Sequence, residues 1–329
     1  MKHFNIGKTA SLLLAGIMTL GICSCSAANT GADSGRLKVV TTIFPEYDWV
    51  REIAGDRLAD IDLTLLLDNG VDMHSFQPTA QDIIKISSCD VFVYVGGESD
   101  EWVEDALKEA VNKDMQVVNL MELLGGNIVE EEIIEGMQAE NEDSDGGEEE
   151  TEYDEHVWLS LKNAQIIVTG IAGAMGKADP DNADAYRSNA ESYNKKLKEL
   201  DGKYADAAAN AVKDALLFGD RFPFRYLTDD YNLSYYAAFA GCSAETEASF
   251  DTVIFLSGKI DELGLKTVLV IESSDHKVAQ TIIDNTASKD QEILVMDSMQ
   301  STTSSDSAKG VTYVSIMEDN LAVLKKALG

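Results

Sequence analysis

Four β-branched runs in the first 120 residues alternate with stretches of helical spacing: LKVVTTIFP from Leu37, IDLTLLL from Ile61, DVFVYVGG from Asp90 and MQVVNL from Met115. Runs this continuously apolar belong to strands covered on both faces, and strands separated by helices pack as a mostly parallel sheet. Between them, YDWVREIAGD reads as a helix closed by Gly55. Thr79 and Asp82 form a capping box that opens a short helix through Ile86. Trp102, Val103, Ala106, Leu107 and Ala110 recur every three or four residues, as on the inward face of a third helix.

The alternation resumes nearer the C-terminus. DALLFGD, LKTVLVIES and EILVMDS read as strands, FDTVIFLSGKIDELG and KVAQTIIDNTA as the helices between them, and VSIMEDNLAVLKKAL as a closing amphipathic helix. Between the two halves lies a longer element. Asp179 is placed to cap it, with Pro180 at its first position, and Tyr186, Ala190, Tyr193, Leu197, Leu200 and Tyr204 continue its apolar stripe towards Val212. A helix of about 30 residues is roughly 45 Å long, more than one small domain, and joins two. The expected fold is therefore α/β: two similar-sized lobes, each with a mostly parallel sheet, over residues 37–177 and 214–329, joined by one long rigid helix over 178–213. No internal repeat is strong enough to claim a duplication.

Residues 1–25 have a short basic start at Lys2 and Lys8, an apolar run, and then small residues and cysteine, the pattern of an export signal. Ile22-Cys23-Ser24-Cys25 resembles the lipobox of bacterial lipoproteins. Cys25, after a small residue, fits the lipidated position better than Cys23, and several acyl chains on one residue make a stable anchor to the outer face of the cytoplasmic membrane. Residues 26–36 are a polar tether. Cys89 and Cys242 lie far apart in unrelated surroundings, so no disulfide framework is indicated, and both read as small buried residues. The net charge of −32 argues against a nucleic-acid partner. Fourteen acids fall within residues 130–155, a segment expected to be a surface loop.

Ligands of open α/β sheets bind at the carboxyl ends of the strands. His74 follows the second strand in a turn-rich loop, and His156 follows the acidic segment in DEHVWL. Asp220, Glu272 and Asp297 stand at the ends of the three later strands. If the lobes face each other, these five converge on one cleft. Two imidazoles with one or two carboxylates suit zinc, or manganese where oxygen predominates. His276 opens a helix and reads as solvated. HExxH, GxSxG and a P-loop are all lacking, and Glu155 is the one nameable base of a metallohydrolase, so the chain is expected not to be an enzyme.

TTIFPEYDWVREIAGDR, VDMHSFQPTAQDIIKISSCDVFVYVGGESDEWV, DEHVWLSLKNA and VTYVSIMEDNLAVLKKAL resemble, in order and spacing, the metal-binding lipoproteins of bacterial zinc and manganese ABC importers. The likeness runs from about Lys38 to Leu328. It implies two α/β lobes on a rigid helix with the metal, Zn2+ first and Mn2+ second, in the interlobe cleft. It also implies a monomer that delivers the ion to a membrane permease driven by a cytoplasmic ATPase. Surface adhesins of the same kind are the alternative role. Carried over, His74 is the first ligand and His156 the second, where Glu155 replaces the proline of DPHxWL; Asp297 is the last. The third ligand of the family, in an (H/E)DAF motif, would fall on Gly219, leaving Asp220, Glu272 or water to substitute. Two-histidine binding implies an affinity that falls below about pH 6.

Overall fold

The computed structural model of the chain describes residues 35–138, 152–243 and 247–329. The export signal, Cys25 and most of the acidic segment lie outside the described residues. The first lobe runs β1 Leu37–Thr41, α1 Phe44–Ala54, β2 Ile61–Leu65, α2 Ala80–Ser88, β3 Val91–Tyr94, α3 Trp102–Lys108, β4 Gln116–Asn119, α4 Leu120–Leu124 and α5 Leu161–Ala178. The long helix is α6 Ala183–Ala209. The second lobe runs β5 Ala215–Phe222, α7 Arg225–Tyr231, β6 Ser234–Ala240, α8 Phe250–Leu263, β7 Thr267–Ile271, α9 Lys277–Asp284, β8 Glu292–Met296, α10 Ser304–Ala308 and α11 Tyr313–Leu328.

Each lobe holds one four-stranded sheet, in the orders β2-β1-β3-β4 and β6-β5-β7-β8. Every strand pair is parallel. The two orders are the same topology, each reversing direction beside its first strand, and that reversal opens a crevice at the carboxyl ends of the strands.

Local chemistry explains where the elements depart from expectation. β1 stops at Thr41 because Pro45 sits in the first turn of α1, where its missing N–H costs nothing, so Phe44 and Pro45 are helical. Asp179 does not cap the backbone of the long helix. Its carboxylate accepts instead from Asn182 Nδ2 (2.8 Å) and the Tyr186 hydroxyl (2.7 Å), fixing a 3-10 turn at Pro180–Asn182 that leads into α6. At 27 residues α6 is about 40 Å long and buries Tyr186, Ala190, Tyr193, Leu197, Leu200 and Tyr204. Strand β5 continues through Asp220 and Arg221, with a register irregularity against β6 between Phe218 and Arg221. Helix α7 and strand β6 have no counterpart in the sequence-based expectation. Among the described residues no helix is long and apolar enough to cross a membrane.

One apolar core passes through both lobes. Val39, Phe92 and Trp158 of the first share it with Tyr193 and Tyr204 of α6 and with Phe218, Leu269 and Tyr313 of the second. Tyr204 donates to the Met317 carbonyl (2.6 Å) and Tyr313 to the Trp158 carbonyl (2.7 Å), so the central helix is hydrogen-bonded as well as packed. A second cluster, including Leu217, Phe239, Leu256 and Ile282, fills the far side of the second lobe.

The α1 N-terminus carries a measurable pH dependence. One oxygen of buried Glu46 accepts from the N–H groups of Thr42 (2.8 Å) and Ile43 (3.3 Å), while the other is buried without a partner. Burial, then the charge of Asp100, pushes this carboxyl from 4.5 up to about 8. Because the folded chain holds the proton more tightly than the unfolded chain, the stabilisation is complete below about pH 4.5 and is lost as pH rises towards 8. At about 1.4 kcal/mol per unit the loss reaches a few kcal/mol. Glu46→Gln is expected to flatten urea-unfolding free energies between pH 5 and 8; an unchanged slope would count against a buried, protonated Glu46.

Candidate metal centre

His74 and His156 reach one point from different elements. His74 lies in a 3-10 turn, Met73–Ser75, in the connection after β2, where the Asp72 carboxylate accepts from the His74 N–H (3.1 Å). His156 immediately precedes another 3-10 turn, Val157–Leu159, whose three residues are all buried. Its own N–H donates to Asp154 Oδ1 (2.8 Å).

The Nε2 atoms of the two rings stand 3.4 Å apart. Two nitrogens on one tetrahedral zinc, each at roughly 2.0–2.1 Å, are about 3.3 Å apart. The opposite ring nitrogens are both occupied. His156 Nδ1 is 3.1 Å from Asp154 Oδ1, and His74 Nδ1 is 2.8 Å from Ser99 Oγ and 3.5 Å from Glu155 Oε2. An oxygen beside each Nδ1 suits a proton there and a lone pair on the opposed Nε2, the outer hydrogen bonding that orients metal-binding imidazoles. Glu155 also accepts from the Ser99 N–H (2.9 Å), so the residue standing where the resembling lipoproteins have proline braces the His74 side of the centre.

Burial and then the neighbouring His156 hold His74 down to about 3. His156, 0% exposed, is opposed in its charging by burial, but the adjacent Asp154 carboxylate overrides this and raises it. With Asp154, Glu155 and Glu131 around the His156 ring, the electrostatics favour positive charge there.

A third donor joins them. The ligand atoms of His74, His156 and Cys242 all lie within 4.8 Å of one another, the group of this kind found among the described residues. Cys242 follows β6, and its N–H donates to Glu131 Oε1 (3.2 Å). Gly241 before it permits the approach: a Cβ there would stand 2.9 Å from the Phe222 carbonyl oxygen and 3.0 Å from His156 Cε1. Burial, followed by the charges of Glu131 and Asp154, raises the thiol well above its ordinary range.

The three carboxylates expected at strand ends do not enter this group. Glu272 is spent on the loop after β8: it accepts from the N–H groups of Ser298 (2.8 Å), Gln300 (3.1 Å) and Ser301 (3.3 Å) and from the Ser298 hydroxyl. Asp297 accepts from the Met299 N–H (2.7 Å), and burial, then the charge of Glu272, pushes it up to about 7. Asp220 lines the cleft with one oxygen taken by the Arg221 N–H (2.8 Å). Position 219 offers no room for a ligand, since a Cβ there would meet Ala279 Cα of α9 at 2.6 Å. His276 is exposed at the N-terminus of α9.

The residue that does project from this part of β5 is Arg221, whose guanidinium pairs with Asp72 at 2.6 Å and so ties the second lobe to the His74 turn. Burial opposes the Asp72 charge, but Arg221 and His74 outweigh it and hold the carboxyl below its ordinary range. His74 and Cys242 line two cavities, one of about 560 Å³ with Asp220 and Arg221, the other of about 280 Å³ with Glu98, Glu131 and Glu155.

A family model described as zinc-uptake complex component A, periplasmic, matches residues 39–327. The chain belongs to this zinc-uptake component A family. A family relative from Bacillus subtilis, the high-affinity zinc uptake system protein ZnuA, is 31% identical over 321 residues, covering 96% of both chains. The zinc-binding lipoprotein AdcA of Streptococcus pneumoniae is 30% identical over 97% of this chain, which spans 61% of AdcA's length. The crystal structure of the Zn(II)-bound ZnuA-like domain of that AdcA superposes with a TM-score of 0.69 at 27% identity, covering 89% of this chain and 99% of the domain. The fold described above is thus shared with that domain.

Proposed function

We propose that this chain is the extracytoplasmic, lipid-anchored solute-binding component of a zinc importer. It captures Zn2+ between His74 and His156 and delivers it to an ABC permease whose cytoplasmic ATPase drives uptake. The observation that carries this reading is the pair of converging Nε2 atoms, 3.4 Å apart, with an oxygen within 3.1 Å of each Nδ1. Relatives named as zinc-binding and zinc-uptake proteins supply independent support. Manganese is the weaker alternative, because the oxygen donors it favours, Asp220, Glu272 and Asp297, stand outside the group. The anchor would be Cys25, and the role is binding rather than catalysis.

Calorimetric titration of the chelator-stripped protein tests the proposal. One equivalent of Zn2+ is expected to bind, at an affinity at least tenfold above that for Mn2+. Absence of saturable zinc binding, or a preference for manganese, would overturn it.

A further inference from the structure

We infer that Cys242 is the third metal ligand, so that the centre is a two-imidazole, one-thiolate site selective for thiophilic divalent ions; this rests on the zinc reading above. Three observations carry it. First, Sγ of Cys242 shares with the two imidazoles a group of donor atoms within 4.8 Å, a spacing that a bound ion closes by small side-chain shifts.

Second, the placement is topological. His74 follows β2 and Cys242 follows β6, the equivalent outer strands of two sheets with the same order. Each lobe thus presents one donor from the same connection, and Gly241 keeps the backbone close to the His156 ring.

Third, Gln300 brings a buried amide with one unpartnered oxygen to the same ring. It is 7% exposed, its Nε2 stands 3.4 Å from His156 Nε2, and its Oε1 is buried with no partner. A buried amide in this state is costly, and an ion held by His74, His156 and Cys242 would give the face a cation to point an oxygen at after rotation of the amide. The charge balance is also favourable: Glu131, Asp154 and Glu155 oppose a free thiolate but compensate a dication carrying one. On ligation the S–H proton leaves to solvent and sulfur donates its lone pair to the metal; no electron is transferred. A thiolate among the donors favours zinc, cadmium and cobalt over manganese.

Cobalt substitution reads the sulfur directly. The full chain titrated with Co2+ is expected to show an intense near-ultraviolet thiolate-to-cobalt charge-transfer band at one equivalent. Cys242→Ser is expected to bind cobalt through the imidazoles without that band, and to lose at least tenfold in zinc affinity while changing little for manganese. Zinc is also expected to slow alkylation of the Cys242 peptide by iodoacetamide at least tenfold, a measurement that needs no variant to fold. Cobalt bound without the band, or alkylation indifferent to zinc, would overturn the thiolate ligand and leave the two-histidine reading standing. Failure of the wild-type chain to bind cobalt or zinc at all would remove both.

Discussion

Replacing His74 and His156 together by alanine is expected to lower zinc affinity by about a thousandfold or more, close to 4 kcal/mol at 1.4 kcal/mol per factor of ten. The size of the effect follows from geometry: with both Nε2 atoms gone, what remains at this point is one thiol with three acids nearby. Linkage gives a second readout. A ligand bound only by the folded state stabilises it by roughly 4 kcal/mol at a thousand times its dissociation constant, so zinc should raise the melting temperature of the wild type and leave that of the double variant unmoved. A double variant that still gains thermal stability from zinc would place the ion elsewhere. Attachment to host-type surfaces unaffected in the same variant, with uptake lost, would separate transport from adhesion.

The second large effect belongs to Trp158. Its indole is fully buried, donates from Nε1 to the Ser298 carbonyl (2.9 Å), and packs with its ring centroid 5.2 Å from that of His156. Trp158 is therefore at once a first-lobe core residue, a link to the loop after β8, and the floor under a candidate ligand. Trp158→Ala is expected to cost about 3–5 kcal/mol in urea unfolding, from lost burial and the cavity left behind. Trp158→Phe keeps most of the apolar area but orphans the Ser298 carbonyl, and roughly 1–3 kcal/mol should be lost. If alanine cost less than the phenylalanine variant, the residue would not be packed as described.

Much of this fold is legible in the sequence because periodicity and β-branching report burial directly. The strands that form the interior of both sheets are Val-, Ile- and Leu-rich, and the apolar stripe of α6 names its buried residues one by one. The failure lies at β6, where SYYAAFA is rich in alanine and tyrosine rather than branched residues and so reads as neither period. Losing that strand removed the signal that makes Cys242 noticeable, since a cysteine one turn beyond a strand end is a candidate ligand and a cysteine in an unassigned stretch is not. Gly219 shows a different limit. The resemblance put the family's third ligand at this position, whereas a side chain there would collide with α9. Glu272 shows a third: a strand-end acid looks alike in sequence whether its oxygens face a cleft or, as here, tie down a loop through backbone N–H groups.

The shared interior of the two lobes sets how the loaded and empty protein can differ. Since α6, the Trp158 turn and Tyr313 belong to one packed body, neither half keeps a complete interior when separated, and the chain should melt in a single cooperative step. A shared core of this kind is expected to keep the halves from swinging together when an ion binds, and an unchanged radius of gyration on adding zinc would check it. Under the proposed role, the surface that distinguishes a loaded carrier from an empty one would be small and close to the ion, formed by the His74 turn, its Arg221 tie and the loop bearing Gln300, and a permease would read side-chain positions there rather than overall shape.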